Sequence, residues 1–543
     1  MKLGTSSFLK IRSHGRRLSI GVVLLVWLFS LLACSQGYVS TYDLTATALF
    51  SNGGVGGSES LEEPVTTPEP QQALNETENI PQTTEVPPNP TSEILVFTPL
   101  PTRSTPLPPI LYYTQSGDTL PAVAVRFGVP VEDITSTEEI PQTGLINAGN
   151  LLIVPDRLGP TGPGELLMPD SEVVFSPSAL DFDIEAFVRD AGGYMSTYRE
   201  YLGDGWNTGA QVVRKVAIEN SINPRLLLAL VEYQSNWVYG SPTNLALTDY
   251  PLGYIKLDQK GLYKQLAWAV QQLSIGYYGW RDAILMEIPF TDGTRIRLAP
   301  ELNAGSAAMQ YFFSRLYEPI LWNGVLYGPE SFPALYERMF DNPWLRAQTV
   351  EPLLPVNLTQ PDLILPFQPG RVWSYTGGPH SAWGPDNARS ALDFAPPSVE
   401  TGCVSSDEWI TAMADGLVVR TGNGIVVLDL DGDGSEQTGW VIFYLHVATR
   451  NRIANGTKVQ QGDLIGHPSC EGGMSTGTHV HIARKYNGEW VLADGPLPFV
   501  MDGWQAKAGL RPYEGLLVKD DDVIEACVCA SFETRIVRPI DGQ

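Results

Sequence analysis

The chain has 543 residues, with 60 acidic against 35 basic side chains and a formal net charge of −25. That length supplies several hydrophobic cores, three or four domains at ordinary domain size. So acidic a balance, with no basic stripe anywhere along the chain, speaks against a nucleic-acid partner.

Lys2, Lys10, Arg12, Arg16 and Arg17 precede an apolar run from Leu18 to Ala33. This is the charged-then-apolar order of an export signal, which predicts a signal peptide over residues 1–33. The run is short for a membrane span, which needs roughly 20 apolar residues. It ends Leu31-Leu32-Ala33-Cys34-Ser35, which resembles a bacterial lipobox. The resemblance implies that Cys34 becomes the lipidated first residue and anchors the protein to a membrane. An uncleaved anchor and an ordinary secretory signal compete with that reading. All three place the remaining chain outside the cytoplasm, as a membrane-anchored, envelope-associated or secreted protein. Setting Cys34 aside leaves Cys403, Cys470, Cys527 and Cys529 as disulfide candidates, with three connectivities open. Their spacings fit no paired-CxxC zinc site.

Residues 34–110 are rich in Pro, Thr, Glu, Gln and Ser, as in Thr66-Thr67-Pro68-Glu69-Pro70. Such composition buries no core and predicts a disordered linker, a tether behind Cys34. The pattern changes over residues 111–156, where Ser116-Gly117-Asp118-Thr119-Leu120 precedes the helical stretch Val123 to Val129. Ile146 to Pro155 then reads as a closing strand. The segment resembles a LysM domain. The resemblance implies a small βααβ module that binds N-acetylglucosamine-containing glycans such as peptidoglycan, with Gly117, Asp118 and Thr119 as candidate glycan-binding residues. Its second helix has little support, because Asp133 to Gly144 holds a proline and few apolar residues.

Residues 181–346 read as mostly helical, with apolar residues at three- and four-residue steps over Ala210–Asn220 and Pro224–Trp237. Ile222-Asn223-Pro224 is a helix start with proline in the first turn. Ile222 to Trp237 resembles the catalytic-helix region of lysozyme-like lytic transglycosylases, and Asn303 to Phe312 resembles a later helix of that fold. Members of that family carry Glu directly before the serine, where this chain has Gln234. Gln has no titratable proton and cannot act as general acid. Glu232, two residues away, falls on roughly the opposite side of the helix. An inactive helical domain is therefore expected, either glycan-binding or a spacer. Its place ahead of the next domain raises the hypothesis that it gates that domain's cleft.

After Pro366 short β-branched and aromatic runs alternate with Gly-rich breaks, predicting a mainly antiparallel β domain over residues 365–515 and a C-terminal tail over 516–543. The fold class is thus multidomain α+β. Asp429-Leu430-Asp431-Gly432-Asp433-Gly434 imitates the first half of a calcium loop, but position twelve is Trp440 rather than a bidentate Glu.

Five of the six histidines lie in this last region: His380, His446, His467, His479 and His481. His479 and His481 are one residue apart on an expected strand, so both imidazoles share a face. Gly377-Gly378-Pro379-His380, Ser390-Ala391-Leu392-Asp393, Tyr444-Leu445-His446 and Gly477-Thr478-His479-Val480-His481 together resemble the LytM/lysostaphin-type zinc endopeptidases. The thirteen-residue step from His380 to Asp393, across a loop with Trp383 and Gly384, resembles the β-lytic branch. The resemblance implies one zinc ion held by His380, Asp393 and His481, with the fourth position left for water. It further implies that His446 and His479 orient or deprotonate that water and stabilise the developing oxyanion. His467, in Gly466-His467-Pro468, reads as a surface or turn residue. The expected activity is zinc metalloendopeptidase cleavage of peptidoglycan peptides, with the LysM module carrying the enzyme to the glycan. The alternative is a non-catalytic peptidoglycan-binding regulator of other wall hydrolases.

Overall fold

The computed structural model describes residues 107–540. The export segment, Cys34 and the linker expected ahead of Leu107 lie outside the described residues, and no helix among those described is long and apolar enough to cross a membrane.

The first module pairs strands Ile110–Tyr113 and Leu151–Val154 antiparallel, with Thr135–Ser136 on the outer edge. Its helix, Leu120–Phe127, starts where the Thr119 hydroxyl accepts the Ala122 amide and stops at left-handed Gly128. Tyr112, Val123, Phe127, Leu152 and Val154 fill a small core. The order matches the expected module, except that the second helix shrinks to the 3-10 turn Val131–Asp133. Of that turn only Val131 packs on the core, and only partly buried, which is too little apolar face to hold a longer helix in place.

The middle region is mostly helical and centres on the 20-residue helix Leu262–Arg281. Around it pack Gly209–Asn220, opened by a Thr208–Gln211 capping box, and Ala304–Ser314. Pro224–Ser235, capped by Asn223 and closed by left-handed Asn236, packs on Gly209–Asn220. Gln234 accepts a hydrogen bond from the Tyr317 hydroxyl at 2.7 Å. The carboxylate of Glu232 is spent on the amides of Val238 and Tyr239, at 2.8 and 3.1 Å, so it is tied to the chain leaving the helix.

The C-terminal domain is an antiparallel sheet running Lys458–Val459, Gly416–Gly422, Ile425–Asp429, Trp440–Leu445, Val480–Tyr486, Arg389–Ala395, Val372–Ser381 and Arg535–Val537. The residues after 515 are not a tail. Arg535–Val537 adds the edge strand beside Val372–Ser381, while Gly515–Lys519 and Asp522–Glu525 extend a second sheet. Leu517, Ile524 and Ile536 are buried, and burying those side chains holds the segment down.

Alternation sends Val426, Leu428, Ile442, Tyr444 and Ile482 into the domain's own core. Ile425, Val427, Val441, Phe443 and Ala483 face the other way, into the core of the helical region. The sheet is therefore buried on both faces, one of them against helices from earlier in the chain.

Candidate metal centre

Asp393 and His481 are directly opposed across adjacent strands, and Gly377 stands opposite Asp393 on the next strand over. A Cβ at Gly377 would lie 2.5 Å from Asp393 Oδ2, so only glycine lets the carboxylate fit against that strand. A Cβ at Gly378 would meet the backbone of Glu514 at 2.5 Å and that of Gly515 at 2.7 Å. Pairing with Arg389–Ala395 slips between Gly377 and His380. Such a slip re-aims a side chain, here bringing His380 to the two opposed residues.

Each imidazole is held by one main-chain carbonyl. His380 Nδ1 lies 2.8 Å from Gly378 O and His481 Nε2 3.0 Å from Ala382 O. His446 Nδ1 lies 2.9 Å from Glu471 O and His479 Nδ1 2.8 Å from Gly477 O. A carbonyl can only accept, so each of these nitrogens carries the proton and the opposite nitrogen presents a lone pair. Three lone-pair atoms then converge. His380 Nε2 is 3.0 Å from His481 Nδ1, and Asp393 Oδ1 is 3.3 Å from the first and 3.2 Å from the second. Asp393 Oδ1 is buried and has no hydrogen-bond partner. Electron-rich atoms meeting without a proton between them repel unless a cation joins them. Two imidazoles and a carboxylate are a donor set that fits zinc, with each histidine oriented through its second nitrogen.

His446 and His479 stand beside this trio, their ring centroids 4.4 Å apart, with His479 Nε2 3.7 Å from Asp393 Oδ1. Burial pushes the His446 imidazole down to about 3, with His479 and His481 adding to the effect. Burial also lowers His481. Both are neutral at pH 7, the state that offers lone pairs.

The pattern-based reading missed Tyr513. Its ring stacks on His380 with centroids 4.1 Å apart, and its carbonyl accepts the Gly378 amide at 2.8 Å. Burial and nearby Asp393 push its phenol up to about 12, so it keeps its proton. A lone tyrosine in a loop carries no periodic or motif signal that could have singled it out. His467 is buried, with its ring on Trp409 at 3.9 Å, Nδ1 against Glu408 O and Nε2 against Asn451. It is a packing residue away from the trio, and not a surface one. The disulfides are Cys403–Cys470 and Cys527–Cys529.

Asp429, Asp431 and Asp433 also gather. Asp429, however, uses its oxygens on the amides of Asp431, Gly432 and Gly434, which builds the hairpin turn. In the first module, Asp118 is 1% exposed and is consumed internally by Arg126 at 2.6 Å, Tyr112 at 2.6 Å and the Gln115 amide at 2.8 Å. It braces the loop instead of facing a ligand. Gly117 and Thr119 line a cavity.

Residues 112–155 match the LysM domain, residues 166–355 the LasA N-terminal domain and residues 400–492 peptidase family M23. The chain is 26% identical to protease LasA of Pseudomonas aeruginosa over 367 residues, covering 61% of this chain and 78% of that protein. It is 28% identical to the β-lytic metalloendopeptidase of Achromobacter lyticus over 141 residues, 24% of this chain and 35% of the other. A solved structure of the M23 metalloprotease pseudoalterin is similar at 26% identity, covering 31% of this chain and 96% of that one, with a TM-score of 0.27. The family matches thus place a LysM domain at residues 112–155 and a peptidase domain of family M23 at residues 400–492.

Proposed function

We propose that this M23 protein hydrolyses peptide bonds of peptidoglycan outside the cytoplasm, using one zinc ion held by His380 Nε2, Asp393 and His481 Nδ1. The observation that carries the reading is the convergence of three buried lone-pair atoms with no proton among them. The names of the similar proteins, a protease and a β-lytic metalloendopeptidase, agree with this chemistry.

Zinc held by these three residues would supply Lewis acidity to the scissile carbonyl and to the attacking water. His479 Nε2 takes the proton from that water and returns it to the departing amine. The Nδ1–H bond to Gly477 fixes the ring for this task. His446 presents the same unprotonated nitrogen, so it shares the proton-accepting role and cannot donate to an oxyanion from that atom. The Tyr513 phenol, which stays protonated, supplies a donor to the developing negative charge.

Glycan attachment falls to the LysM domain through the loop that carries Gly117 and Thr119. The Leu31-Leu32-Ala33-Cys34 sequence supports lipid attachment at Cys34, with residues 34–110 as the tether. Incubation with purified peptidoglycan, followed by mapping of new amino termini and new sugar ends, tests the enzymatic reading. New amines that vanish in His481→Ala are expected. Anhydro-sugar ends would assign the cutting to the helical domain instead, and a complete lack of products would leave a binding protein.

A further inference from the structure

The strand Trp440–Leu445 ends one residue before His446, and its alternation breaks there. Ile442 and Tyr444 enter the peptidase core, and the next side chain on that face would be the one at position 446. Val447 takes the core place instead, fully buried, while the His446 ring turns to His479. A left-handed backbone at His446, with φ +65°, makes this turn. Such a conformation strains a non-glycine residue, and it persists only where the surroundings enforce it. Ser469 makes the bonds that do so. Its amide and its hydroxyl both donate to the His446 carbonyl, at 2.7 and 2.9 Å. The same hydroxyl accepts the Glu471 amide at 3.0 Å, and the Glu471 carbonyl holds His446 Nδ1 at 2.9 Å. Ser469 thus grips His446 twice, the backbone directly and the ring through Glu471. Its own carbonyl accepts the His479 amide at 3.3 Å. All three polar atoms of this one residue are spent on the two histidines beside the ligand trio.

We propose that Ser469 is a positioning residue for the hydrolytic reaction, which locks His446 and His479 together as a fixed pair of proton acceptors. The inference rests on the hydrolase reading and adds what sets the spacing of its two bases, whose ring centroids lie 4.4 Å apart. Proton transfer works only over hydrogen-bond distance. Misplacing a reacting group by about 1 Å costs on the order of a hundredfold in rate. The strained backbone at His446 makes that ring the one whose place depends most on an outside clamp. The Ser469 hydroxyl bonds to the His446 carbonyl and the Glu471 amide, and to none of His380, Asp393 and His481. Its loss therefore loosens a base and leaves the three metal donors where they are.

The test measures steady-state amine release from soluble cross-linked peptidoglycan peptides by the full chain, with zinc content and urea midpoint taken on the same preparation. Ser469→Ala removes the two hydroxyl bonds and keeps those of the amide and the carbonyl, so the loop retains its path. It is expected to hold its zinc and its KM while kcat falls at least about tenfold. Ser469→Thr restores a hydroxyl at this half-buried position and is expected to restore kcat. A wild-type kcat in Ser469→Ala overturns the proposal. So does a loss that follows lost zinc or lost folded protein, or one that Ser469→Thr fails to rescue. Each of these outcomes leaves the hydrolase reading standing, since the wild type still cleaves. If the wild type releases no amines, that reading falls and this inference falls with it.

Discussion

The Tyr513 ring lies on the His380 imidazole, with centroids 4.1 Å and planes 21° apart, and the Tyr513 carbonyl receives the amide of Gly378. A loop 133 positions downstream in the sequence thus clamps the strand that carries His380, and it sets a protonated phenol at the edge of the His380–Asp393–His481 cluster. Tyr513→Phe keeps the stacking ring and removes the hydroxyl. It is expected to retain zinc and KM while kcat drops about a hundredfold, the usual loss of one oxyanion donor. An unchanged kcat would remove Tyr513 from the chemistry.

Zinc content follows from the three converging donors. Elemental analysis should find one zinc per chain in the wild type and a marked loss in His380→Ala, Asp393→Ala and His481→Ala. Chelation should abolish activity, and added zinc should restore it. His446→Ala and His479→Ala should lose turnover and keep the metal, because neither belongs to the trio. Loss of zinc from both would mean that the ligand set is wrongly drawn.

Acid should destabilise the protein through His446. Its folded value lies at about 3 because of burial, while an unfolded histidine titrates near 6.5. Between those values the unfolded chain binds a proton that the folded site refuses, so stability falls as pH drops through that window. His446→Gln, which cannot titrate, should flatten the trend. Urea midpoints of chelator-treated protein at about pH 7.5 and about pH 5 measure it. Parallel pH slopes for the two proteins would sink the argument.

The Cys403–Cys470 disulfide closes a loop with a sequence separation of 67 residues, and that loop includes His446. Glu471, next to Cys470, supplies the carbonyl that fixes the His446 ring. Cys403→Ser with Cys470→Ser should cost about 2–4 kcal/mol of stability, and it should lower kcat by loosening that carbonyl. Chemical unfolding and steady-state kinetics on the same preparation would separate the two effects. Stability loss with intact kcat would leave the bridge purely structural.

The helical region and the peptidase sheet share one core, so they should unfold in one calorimetric transition. Phe443, 1% exposed, packs against both His481 and Trp490, with centroids at 6.3 and 5.7 Å. Phe443→Ala should cost about 3–5 kcal/mol and lower the single melting temperature. Deleting residues 181–345 would uncover Val427, Val441 and Phe443, and the expected product is insoluble or unstable. A soluble, more active deletion protein would instead make the helices a gate over the cleft.

The resemblance carried by the His/Asp motifs was enough to nominate the metal donors, because zinc ligands sit in short local patterns. A strand's period of two puts His479 and His481 on one face whatever surrounds them. The same local logic found the LysM module. What the pattern could not carry was everything set by backbone atoms distant in sequence. The carbonyls of Gly378, Ala382, Glu471 and Gly477 choose which nitrogen of each histidine is left unprotonated in the site. Tyr513 enters only because the Glu514–Gly515 backbone packs against Gly378. The apolar residues on both faces of Ile425–Asp429 and Trp440–Leu445 announce two-sided burial, but a side chain's hydrophobicity does not name its partner. Only the folded chain lays the helical region on one face and brings the LysM loop, through Arg281, against the peptidase domain.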